Sequence, residues 1–228
     1  MISDPRTISL AILGGLAPSL VWLWFWLKED EEKPEPKGLI ATIFVLGALA
    51  VFLVIPAERL VESAISLPYM QTFSWASIEE IMKFLIVALL LYKSGKIDEP
   101  IDWPIFLITS ALGFAALENA LFLSKPLALD DTTVSLLTGQ LRFLGSTLLH
   151  AVSSAIVGVS LGLSFFMGNF AKKIYFLIGI SLAIALHSAF NFFIINGDSN
   201  SLFKIMGFLW VVTIIVMLVF EKLRRMSI

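Results

Sequence analysis

An all-α, polytopic membrane helix bundle of about seven transmembrane helices is the fold class this sequence predicts, on three observations. Hydrophobic residues fill 58% of the 228 positions and charged residues only 15%, where a soluble domain has close to half and about a quarter. The mean hydropathy is +0.91. The apolar residues gather in runs of roughly 20, the length a helix needs to cross the hydrocarbon, without the period-2 alternation of a membrane barrel. The same excess rules out a soluble core and a disordered chain. A net charge of −2 offers no basic surface for nucleic acid. The absence of cysteine excludes disulfides, thiolate metal sites and a cysteine nucleophile.

The first run, 9–27, lacks the basic start and clear cleavage site of a signal peptide and reads as a retained span. A charged, Pro-broken linker, 28–37, leads to the second span at 38–56. The stretch 57–72 is mildly amphipathic through Leu60, Val61, Ile65 and Leu67, which places it in the outer interface. Spans three and four follow at 73–92 and 103–124, and an outer loop, 125–140, carries Asp130 and Asp131. The fifth, 141–167, is long enough to tilt or protrude, and its Gly158 and Gly162 permit close helix contact. The sixth and seventh cover 172–195 and 202–220. No intervening segment is large enough to fold alone, so residues 1–228 form a single transmembrane domain. Ten cations fall on one set of loops and tails, five on the other, and Lys83 lies inside the third span. The positive-inside rule then places the N-terminus outside and the C-terminus in the cytoplasm.

The informative residues are polar groups inside spans, each costing several kcal/mol unless paired or facing water. The third span holds Glu79, Glu80 and Lys83, and the fourth Glu118 and Asn119. The fifth holds Ser146 and His150, and the sixth His187 and Asn191; these are the chain's only two histidines. With the expected orientation, Glu79 and Glu80 sit roughly 10 Å from the outer end of their helix at 1.5 Å per residue. Glu118, His150, His187 and Asn191 reach the same outer layer from three other helices. Glu79 and Lys83 are i,i+4 and share a face, with Glu80 about 100° around. Two imidazoles, a carboxylate pair and an amide are parts for activating water and receiving an oxyanion. They equally suit zinc. Each residue also has a structural reading: Glu79–Lys83 as a self-neutralising pair, a histidine as a packing residue, Asn119 and Asn191 as interhelical glue, Glu118 as a buried acid. One depth shared by four helices argues against that reading for the whole set.

Glu79-Glu80-x-x-Lys83, Phe114-x-x-x-Glu118-Asn119, an isolated His150 before small residues, and His187-x-x-x-Asn191 resemble the motifs of the PrsW-type intramembrane proteases. That family is related to the type II CAAX prenyl endopeptidases and the bacteriocin-immunity membrane proteins. The resemblance covers about 73–195. Lys83 stands where the prenyl endopeptidases carry an arginine one position later, and Ser146 where they carry a phenylalanine, so a prenyl-protein substrate is not expected. The resemblance implies a membrane endopeptidase in the cytoplasmic membrane of a prokaryote. Its substrate would be a single-span membrane protein, such as an anti-sigma factor cut on its extracytoplasmic side. By position, Glu79 would activate water with help from His150, while His187 and Asn191 polarise the carbonyl and hold the oxyanion. Glu80 and Lys83 would tune that carboxylate, Glu118 would stand behind or replace it as an acid, and Asn119 would support it. Which of Glu79 and Glu80 is the base is left open by their spacing. Metal-free chemistry is the expectation, because no His-Glu-x-x-His helix is present and Lys83 places a cation beside Glu79. The alternative is a zinc protease with Glu79, His150 and His187 as ligands. A non-enzymatic proton- or ion-coupled transporter or a metal-binding immunity protein is the competing class, but the paired repeats and broken helices of transporters are not seen.

Overall fold

The computed structural model describes residues 4–28, 33–91, 94–129 and 142–227. The linker residues 29–32, Lys93, and the loop acids Asp130 and Asp131 lie outside these. Seven long helices run through the described residues: α1 (Pro5–Lys28), α2 (Lys37–Ala64), α3 (Pro68–Leu90), α4 (Asp102–Ala128), α5 (Thr147–Leu163), α6 (Asn169–Asn196) and α7 (Ser199–Ser227). A single π-helical turn, Arg142–Ser146, leads into α5. Six of the seven, with the π turn counted into α5, are long and apolar enough to span a membrane. The exception, α3, has 23 residues, about 35 Å at 1.5 Å per residue, and departs from the others through its three central charges. The chain is a multi-pass integral membrane protein. Its helices alternate in direction, so the starts of α1, α3, α5 and α7 share one face with the ends of α2, α4 and α6.

The helices outrun the apolar runs that predict them. Residues 57–64 do not lie apart in the interface: they continue α2 past Pro56, and Pro68 opens α3 only four residues after Ala64. Proline at the first helical position has no N–H to leave unpaired. The Gln71 amide donates to the carbonyl of Ile65 at 2.5 Å, and the Trp75 indole to that of Glu58 at 3.3 Å, which closes the corner. The fifth span ends sooner than its apolar run, at Leu163, where Ser164 turns its hydroxyl back on the Leu161 carbonyl at 2.9 Å.

Helix α4 is the centre of the bundle. It is buried at every position from Pro104 to Ala116 and packs against α1, α2 and α5, while α3 closes the bundle between α2 and α6, and α7 covers α5. Apolar side chains gain nothing on leaving lipid for one another, so this packing depends on backbone approach through small residues. A Cβ at Gly113 would lie 1.9 Å from the Phe44 carbonyl oxygen, and one at Gly47 2.1 Å from that of Ser110. Gly158 and Gly162 serve the α4–α5 side in the same way, against Pro104 and Pro100. Forcing one extra methyl into such a contact costs about 1–3 kcal/mol. Gly113→Ala is therefore expected to lower the melting temperature of the detergent-solubilised protein by several degrees. Gly38→Ala, with nothing within 4 Å of the added carbon, should leave it unchanged.

Candidate active site

Within α3, Glu79, Glu80 and Lys83 are all buried, a placement tolerated only because they pair. The Lys83 ammonium donates to Glu79 Oε2 at 3.2 Å and to Glu80 Oε1 at 2.9 Å. The helical spacing anticipates the first contact. It underrates the second, because i,i+3 neighbours meet on a helix as readily as i,i+4 ones when the side chain is long. The third Lys83 contact crosses to α5, where His150 Nδ1 lies 2.8 Å away, and the ammonium stands 4.6 Å from the Phe114 ring centre.

Glu80 is fully occupied. Besides Lys83 it receives the Ser154 hydroxyl at 3.0 Å and faces His187 Nδ1 at 2.8 Å. His187 therefore turns its other nitrogen, Nε2, toward Glu79 Oε2, at 3.9 Å. His150 has Nδ1 3.6 Å from the same oxygen and Nε2 3.1 Å from Glu118 Oε2. The two imidazole rings meet edge to face, 5.0 Å between centres. Glu79, Glu118, His150 and His187 lie eight to eleven residues in from one face, about 12–17 Å at 1.5 Å per residue. The four helices thus bring their polar groups into one layer, as the sequence anticipates.

A cavity of about 450 Å³ opens above this layer, lined by Glu58, Glu79, Glu118, Arg142, His187 and Asn191 among others. Glu79 borders it while Glu80 lies behind, which distinguishes two carboxylates that spacing alone leaves equivalent. Asn191, one turn beyond His187, lines the wall. Asn119 has a different place: its amide donates to Thr147 Oγ1 at 2.8 Å and its oxygen accepts from Arg142. Sequence reasoning misses Arg142, which stands next to a loop, and Glu58, just past the end of an apolar run. Ser154 was within reach, since it shares a helical face with His150 at i,i+4.

The residues that would hold a metal are Glu79, His150 and His187, whose donor atoms lie within 4.8 Å of one another. The two separations from Glu79 Oε2, 3.6 Å to His150 Nδ1 and 3.9 Å to His187 Nε2, are near the roughly 3.4 Å edge of a tetrahedron with bonds of about 2.1 Å. The occupancy does not fit. The Lys83 ammonium already donates to two of the three donor atoms, Glu79 Oε2 and His150 Nδ1. Its N–H takes the nitrogen lone pair that a ligand bond needs, and its charge repels a dication at this range.

Comparison with known proteins identifies what this arrangement is similar to. A family model described as PrsW family intramembrane metalloprotease matches residues 35–220. Protease PrsW of Geobacillus kaustophilus is 27% identical over 190 residues, covering 81% of this chain and 79% of that protein. Protease PrsW of Shouchella clausii is 25% identical over 220 residues, covering 95% and 98%. For Protease PrsW of Bacillus subtilis the figures are 26% over 205 residues, 87% and 90%. No solved structure matches the chain.

Proposed function

The chain belongs to the PrsW family of intramembrane proteases, and from that premise we propose that it hydrolyses a peptide bond of a single-span membrane protein in the cavity above Glu79, by metal-free carboxylate chemistry. One observation carries the assignment of the base: Glu79 both borders the cavity and faces one ring nitrogen of each histidine. Glu79 takes the proton of a water as its oxygen bonds to the scissile carbonyl carbon. The carbonyl π pair moves to oxygen, and the oxyanion is received by His187 Nε2–H and the Asn191 amide. His187 can donate from Nε2 while its Nδ1–H meets Glu80 because both ring nitrogens of a protonated imidazole carry hydrogens. As the carbonyl re-forms, the C–N bond breaks and the Glu79 proton passes to the leaving nitrogen. Glu80 orients His187 as a carboxylate orients the histidine of a hydrolytic triad. His150, engaged at both nitrogens, aims Lys83 instead of taking a proton from water.

The cation bias of the loops supports a cavity in the outer half of the bilayer, where an extracytoplasmic cut in an anti-sigma factor would fall. Membrane fractions from cells with and without the protein, compared by mass spectrometry of new peptide termini, test this reading. The expected result is a small set of termini within or just outside a hydrophobic segment, on its outer side. If every new terminus lies in cytoplasmic loops, the reading is wrong.

A further inference from the structure

Arg142 is the first residue of the π turn before α5, and its guanidinium is partly buried at the cavity wall, with 16% of its side chain exposed. It donates to Glu118 and to the Asn119 side-chain oxygen, and it lies over the Phe122 ring, 3.9 Å from its centre. The Asn119 amide donates to Thr147 Oγ1 at 2.8 Å, and the Thr147 hydroxyl donates to the Arg142 carbonyl at 2.9 Å. This closed ring ties the entrance of α5 to α4, one helical turn before His150.

The hydrogen bonds beyond Arg142 have directions that chemistry fixes. An ionised Glu118 can only accept, so the His150 Nε2 that meets it at 3.1 Å must carry the proton. A lysine ammonium can only donate, so the His150 Nδ1 that meets Lys83 at 2.8 Å must offer a lone pair. Between an obligate acceptor and an obligate donor, His150 has one allowed form, the neutral Nε2–H tautomer. That form passes the order on, because Lys83 held by His150 is the same ammonium that meets Glu79.

We propose that Arg142 is a positioning residue: by clamping Glu118 against the His150 Nε2–H it holds that imidazole in place, and so fixes the Lys83 ammonium against Glu79. The kinetic half of this proposal rests on the proteolytic reading, whereas the placement of the His150 ring stands without it. With only two histidines in the chain, nitrogen-15 NMR of histidine-labelled full-length protein in nanodiscs reads each ring, and a His187→Gln sample assigns His150. In the unaltered protein His150 should show one protonated nitrogen, Nε2, and one unprotonated. In Arg142→Gln the His150 Nε2–H should lose its carboxylate partner and its resonance should shift, while Nδ1, still facing Lys83, stays unprotonated. Turnover of a cleavable substrate should fall about 10²-fold, the scale of a slightly misplaced catalytic group, with KM nearly unchanged. Arg142→Lys should restore the His150 pattern and most of the turnover. Glu118→Gln, which leaves Arg142 in place, should give the same spectral change and serves if Arg142→Gln does not fold. Unchanged His150 resonances in the folded Gln variants, or a loss confined to KM, would overturn the proposal. Absence of cleavage by the unaltered protein would count against the proteolytic reading alone, since the spectra still report on Arg142.

Discussion

Glu79→Gln is expected to stop proteolysis while the protein still accumulates in the membrane. The substitution keeps size and one hydrogen-bonding oxygen, so Lys83 retains an acceptor at that position, but the amide cannot take a proton from water. Loss of general-base help costs about 10²–10⁴-fold in rate. Glu80→Gln is expected to behave differently, because Glu80 holds Lys83, His187 and Ser154 together in the interior. Taking one charge from a buried pair destabilises by about 3–5 kcal/mol, so that variant should be poorly recovered, and what is recovered should be misfolded. Cleavage of a co-expressed tagged substrate, read beside size-exclusion profiles in detergent, separates the two effects. Near-normal turnover in Glu79→Gln would remove this carboxylate from the reaction. A profile for Glu80→Gln identical to that of the unaltered protein would show that the buried cluster is not what holds α3, α5 and α6 together.

The contrast between these neighbours shows where sequence reasoning reaches its limit. Seven helices were legible because hydrocarbon thickness sets helix length, and α3 announced a site because its charges are expensive in lipid. The shared layer of Glu79, Glu118, His150 and His187 followed from counting residues inward along alternating helices. Which carboxylate borders water did not, because Glu79 and Glu80 differ by a rotation about the axis whose meaning depends on the neighbouring helix. Arg142 escaped for another reason: a cation at a span end reads as an orientation signal, and only the packing of α4 against α5 turns it toward Glu118. Glu58 was hidden in a stretch assigned to the interface, since an apolar ruler ends a helix where hydrophobicity ends, whereas hydrogen bonding carries α2 on to Ala64.

Exhaustive chelation followed by dialysis is expected to leave the protein active, and Lys83→Met is expected to turn the same pocket into a metal site. Both expectations follow from one ammonium. Glu79, His150 and His187 have donor atoms close enough together for a dication, and Glu80 and Glu118 stand behind the two imidazoles as carboxylates do in many metal sites. What stands between this arrangement and a bound ion is Lys83, 2.8 Å from His150 Nδ1 and 3.2 Å from Glu79 Oε2. Two unit charges about 4 Å apart repel by about 4 kcal/mol at an effective dielectric constant near 20, and a dication doubles that. Methionine fills a similar volume without charge, frees the Nδ1 lone pair, and leaves two carboxylates that a dication would neutralise. Zinc affinity, measured by competition with a chromophoric chelator, should therefore rise by at least about 10²-fold in Lys83→Met, since each 1.4 kcal/mol is worth tenfold. The variant should also melt higher with zinc than without it. Stoichiometric zinc in active preparations of the unaltered protein, with proteolysis lost on its removal and restored on its return, would show that Lys83 yields to the metal and that the zinc mechanism is the working one.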